Sequence, residues 1–136
     1  MMRAGLFLIL MYSALASAGS GSWSAESAGG TLTLGKMVVT GKPVIPASSI
    51  PARAKPAWIS WKIITSRPAP MGFIARVCSK NRCLSLPSMA GQRPLPAGFS
   101  AHGPYFFEYY VSTRGVIYPP LTILSNQLSL GYVTPP

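Results

Sequence analysis

Cys78, Cys83, His102 and the carboxylates Glu26 and Glu108 are the groups in this 136-residue chain best suited to redox, metal or acid–base chemistry. Their spacing argues against most of it. Paired-carboxylate catalysis needs two acids held together, and Glu26 and Glu108 lie far apart in sequence and in unlike surroundings. A serine nucleophile would take His102 as its base, yet His102 sits in Ser100-Ala101-His102-Gly103-Pro104 with no motif around it. There is no G-x-S-x-G and no phosphate loop. A redox pair is usually spaced C-x-x-C, and a zinc centre needs two more ligands than the two cysteines. The expectation is a protein that is not an enzyme and carries no cofactor and no metal.

The two cysteines have another use. Arg76-Val77-Cys78-Ser79-Lys80-Asn81-Arg82-Cys83-Leu84-Ser85-Leu86 places them around four residues, with strand-like alternation on either side. A hairpin with Ser79-Lys80-Asn81-Arg82 as its loop sets Cys78 opposite Cys83, within reach of a disulfide. A disulfide needs an oxidising compartment, and the N-terminus offers the route. Arg3 precedes the apolar run Leu6–Leu10, and Ala16-Ser17-Ala18 is a small-x-small cleavage site. Residues 1–18 therefore read as a signal peptide and residues 19–136 as a single exported domain. The apolar run falls short of the ~20 residues of a membrane span, so the chain is expected not to span a membrane.

Charge narrows the partners. Twelve Lys plus Arg face two acids, for a formal net charge of +10. Such a surface favours anionic partners such as lipid head groups, cell-wall polymers or acidic protein faces. The cations are scattered rather than run together, so nothing resembles a nucleic-acid-binding arm.

The elements that must hold these groups are strands. Charged residues are 10% of the chain, while Gly and Pro number 13 and 14, which favours an all-β fold. Residues 31–34 and 36–40 read as a first strand pair across Gly35, and residues 58–65 as the strongest strand, with Ile59, Trp61 and Ile63 inward. Residues 19–30, 41–56 and 87–102 read as irregular, the second of these for its prolines. The cysteine hairpin spans 72–86 and an aromatic strand 105–111. Pro119-Pro120 reads as a break, followed by two strands separated by Ser125-Asn126-Gln127. The sum is an antiparallel β-sandwich of about seven to nine short strands, with a small barrel as the alternative. Glu108 is expected to pair across the sheet with Arg76. Trp58 beside Lys62 is a candidate for an exposed stacking platform.

These residues also resemble a family. Pro70-Met71-Gly72 with the cysteine hairpin, the aromatic strand 106–110, the Gly115 turn, Pro120 and Leu124-Ser125-Asn126-Gln127 are similar to the bacterial flagellar protein FlhE family. The likeness is good over 70–132 and loose over 30–68. The resemblance implies a periplasmic β-sandwich accessory protein of the flagellar type III export apparatus. Its partners would be flagellar export or rod proteins, and its role to restrain proton leakage and to act as a chaperone. Arg76, Lys80, Arg82 and Arg114 are then the candidate docking cations, with Trp58 beside them. A peptidoglycan- or carbohydrate-binding module, an exported inhibitor wedged by the Pro-rich loops, and a homo-oligomer stay open as alternatives.

Overall fold

The computed structural model describes residues 19–136, so the signal peptide expected over 1–18 lies outside the described residues. Nine strands follow in order: β1 Gly19–Ser27, β2 Thr31–Leu34, β3 Val39–Thr40, β4 Lys55–Thr65, β5 Phe73–Ser79, β6 Arg82–Leu86, β7 Ala90–Pro94, β8 Phe106–Val111 and β9 Val116–Thr134. One sheet runs β1-β9-β4-β7 with β2 also on β9, and the other runs β3-β8-β5-β6. Every pairing is antiparallel. The fold is the expected all-β sandwich.

Its core comes from period-2 alternation. Ile59, Trp61 and Ile63 of β4 are buried as expected, and meet Val77, Phe107 and Tyr109 of the facing sheet in one apolar cluster. β9 contributes Leu121, Ile123, Leu128 and Leu130 to the same core. The phase of its alternation changes between Ile123 and Leu128, because Leu124 bulges out where Ile64 pairs with Ser125 and Thr65 with Ile123.

That bulge corrects the reading of the C-terminal region. Ser125-Asn126-Gln127 is no turn. It lies inside β9, paired with β4 on one side, and with Asn126 and Gln127 facing β1 on the other. Pro119-Pro120 does not end the strand either. Leu32 pairs with Leu121 and Leu34 with Val116, so the two prolines lie in an irregular stretch of β9 where ladder donors are not needed.

Three further expectations are corrected. Residues 31–34 and 39–40 do not pair with each other. β2 joins β9 and β3 joins β8, so the chain crosses between sheets at Gly35-Lys36. The stretch 19–30 holds β1, whose Gly and Ser residues give a poor strand signal but pair with β9 from Gly19 to Ser27. The stretch 87–102 holds β7, an edge strand in which Pro94 is tolerated. The stretch 41–56 is irregular only as far as Ala54, anchored by a bridge between Val44 and Tyr105, while Lys55 and Pro56 open β4 in pairing with β9.

Candidate functional site

The cysteine hairpin is formed by β5 and β6. Cys78 and Cys83 are register partners joined by a disulfide, with Cα atoms 4.0 Å apart. The loop is tighter than expected: Ser79 pairs with Arg82, leaving Lys80-Asn81 as the turn. Lys80 takes φ +53°, the left-handed conformation that a tight hairpin turn uses. Because the cysteines are oxidised, their sulfurs cannot act as thiolate ligands beside the neighbouring Glu108 carboxylate.

The turn presents its cations differently. Lys80 is exposed at the tip. Arg82 lays its guanidinium over the Phe99 ring, 5.6 Å from the centroid, a cation–π contact that fixes its direction. Gly98 permits this approach: a Cβ there would lie 2.6 Å from the guanidinium, and its φ is +99°. The loop carrying Phe99 is tied down in turn. Trp23 Nε1 donates to the Ala101 carbonyl at 2.8 Å, and the Tyr105 hydroxyl to the Ser100 carbonyl at 2.5 Å. His102 completes an open depression with Lys55 and Lys80, its Nε2 2.9 Å from the Pro51 carbonyl. Sequence reasoning did not place Lys55, Phe99 and His102 together, because the start of β4 meets the β7–β8 connection only in the folded chain.

Arg76 is engaged elsewhere. Its Nε lies 2.5 Å from Glu108 Oε2 on the directly opposed residue of β8, the cross-sheet pair expected. Both side chains are partly buried, so Arg76 offers less free charge than Lys80. Arg114 lies at the other end of the sandwich, on the β8–β9 connection, separated from Lys80 by the seven residues of β5. Lys80 and Arg82 therefore lie at one end, Arg114 at the other and Arg76 midway along β5, so the four candidate cations form no single patch. Trp58 is half-buried, with its indole stacked over Gly131, where a Cβ would come within 2.0 Å of it. Among the described residues Tyr118 is the strongly exposed aromatic, so Trp58 heads no planar row of rings.

Burial has raised two tyrosine pKa values. Desolvation pushes Tyr105 up to about 12 and moves Tyr109 upward too. Both hydroxyls stay neutral donors. Tyr109 donates to Asn126 Oδ1, which links the two sheets through the core.

Small, basic and oxidised, with two antiparallel sheets packed around one core, the molecule belongs to the class of disulfide-bonded β-sandwich proteins. Comparison with known proteins gives the class a family. The family described as Flagellar protein FlhE matches residues 29–133, and the chain belongs to it. The Flagellar protein FlhE of Escherichia coli (strain K12) is 29% identical over 131 residues, covering 96% of this chain and 99% of that protein. That of Yersinia enterocolitica is 30% identical over 114 residues, covering 83% and 81%. The crystal structure of FLHE superposes with a TM-score of 0.74 at 27% identity, over 85% of this chain and 98% of that one. Family membership supports a flagellar accessory role. No helix among the described residues is long and apolar enough to cross a membrane.

Proposed function

We propose that the protein is a non-enzymatic accessory of the flagellar type III export apparatus, working in the periplasm as a plug or chaperone that limits proton leakage during assembly. Family membership over residues 29–133 carries this reading. The disulfide favours an oxidising compartment, reached through a removed signal peptide at 1–18. The contact we favour is the hairpin end. Lys80 and Arg82 are held outward by a disulfide-tied turn and by Phe99, ready to meet an acidic export or rod component. Charges placed so steer association more than they set its affinity.

The test is deletion of the gene in its flagellated host, with cytoplasmic pH and flagellar number followed during assembly. The expected result is acidification on deletion, rescued by the parent and less well by Lys80→Glu with Arg82→Glu. Unchanged pH and flagellation in the deletion would refute the role. Full rescue by the charge-reversed pair would refute the surface. Crosslinking from position 80 in living cells then identifies what the turn touches. The carbohydrate-module reading draws no support from Trp58, whose indole lies against Gly131.

A further inference from the structure

Three connections meet at the end of the sandwich opposite the cysteine turn. The β2–β3 connection lies against the β8–β9 connection, with Gly35 N donating to the Gly115 carbonyl and Lys36 N to the Val111 carbonyl, both at 2.7 Å. The β4–β5 connection joins the same group, with Ser112 N donating to the Gly72 carbonyl at 2.9 Å. At this end the chain inverts the usual rule for surfaces. Met71 is 96% exposed, Tyr118 87% and Val116 79%, and Met37, next to Lys36 on the β2–β3 connection, is half-exposed. Met71, Val116 and Tyr118 surround one shallow depression that Arg67 and Arg114 also line. Arg67 is committed to the fold, donating to the Pro119 carbonyl. Lys36 and Arg114 are exposed. The molecule's two acids lie elsewhere: Glu26 in β1, and Glu108 in β8, held by Arg76.

We propose that this end docks on an anionic lipid bilayer, with Met71, Val116 and Tyr118 entering the interface while Lys36 and Arg114 meet the head groups. Three arguments select that occupant. An apolar tip with a tyrosine, ringed by cations, is the composition that lies in a membrane interface. The cations require a negative partner, and a second copy of this strongly basic chain presents the same sign. The apolar side chains, Met71 on the β4–β5 connection and Val116 and Tyr118 at the start of β9, stand out at the rim of a shallow depression rather than lining a deep groove, which suits a deformable surface better than a rigid protein face. This inference does not depend on the flagellar role.

Vesicle co-sedimentation tests it, using protein purified from cells expressing the full-length gene, with phosphatidylglycerol/phosphatidylcholine vesicles against pure phosphatidylcholine. Partition into the anionic vesicles alone is expected. Lys36→Gln with Arg114→Gln should weaken it about 25-fold, at roughly fivefold per cation. Met71→Ser with Tyr118→Ser should weaken it at least about tenfold. Lys80→Gln with Arg82→Gln, at the far end, should leave it nearly unchanged. Because Tyr118 is exposed, Tyr118→Trp gives a folded reporter whose emission shifts to the blue only with anionic vesicles. No partition, equal weakening by the two charge-neutralised pairs, or undiminished binding after Met71→Ser with Tyr118→Ser would each overturn the proposal. So would capture of an acidic protein through these side chains while vesicles are ignored.

Discussion

Asn126 shows how much one residue can join. It is fully buried in β9, accepts a hydrogen bond from Tyr109 of the opposite sheet, and leaves its own Nδ2 without a partner. Tyr109→Phe would strand the acceptor as well, so unfolding free energy should fall by about 1–3 kcal/mol, measured by urea titration. A loss near zero would mean that water replaces the hydroxyl. Tyr109 and Tyr105 also predict an alkaline limit. Both pKa values are raised in the folded state, so this contribution is complete below pH ~10, where unfolded tyrosine is still protonated. It is lost as pH climbs from there through the folded values, about 12 for Tyr105. Urea midpoints should therefore be flat from pH 8 to 9.5 and fall above ~10, and Tyr105→Phe should flatten that decline. The Arg76–Glu108 pair is partly exposed and worth less, about 1 kcal/mol at most by a double-mutant cycle.

Among the elements, the cysteine hairpin is tied but not dependent on its tie. Closing so short a loop contributes about 2 kcal/mol. Cys78→Ala with Cys83→Ala should lower the melting temperature yet keep the β-type circular dichroism and cooperative unfolding. Loss of both would mean that the bond decides folding. β4 and β9 depend on a different fit, Trp58 over Gly131. Gly131→Ala should cost about 1–3 kcal/mol through overpacking and shift Trp58 emission to the red as the indole is displaced. These elements also explain what the sequence made legible. β4, β6 and β8, and β5 as far as Val77, are readable because alternation and burial agree there: Ile59, Trp61 and Ile63 point inward with nothing to interrupt the period. β1 and β7 were not, since Gly, Ser and Pro carry no strand preference and their pairing comes wholly from β9 and β4. β9 was cut into pieces because Leu124 shifts its period and Pro119-Pro120 looks like a stop. For the site, the residue types of Lys80, Arg82 and Arg114 were visible. Their division between two ends was not, because it depends on the direction of β5. Met71 did leave a signal, as a large apolar residue between Pro70 and Gly72 where a turn prefers polar ones.

For the molecule as a whole, both ends are basic, and any contact with an anionic surface should weaken steeply with salt. Binding measured at about 0.05 M and 0.5 M salt separates this from a purely apolar contact, which strengthens or holds. The sheet order has a consequence in time. β9 is the spine of its sheet, pairing with β1, β2 and β4, and it follows all three in the chain. A polypeptide emerging from its N-terminus, from a ribosome or through a membrane channel, exposes those three strands long before their common neighbour arrives. A fragment ending at Gly115 should therefore show neither cooperative unfolding nor native tertiary signals, and supplying residues 116–136 should restore both. Until that last stretch emerges the β3-β8-β5-β6 sheet has no completed partner to pack against, so the placement of one strand keeps the finished sandwich from forming inside a narrow passage until the polypeptide is almost released.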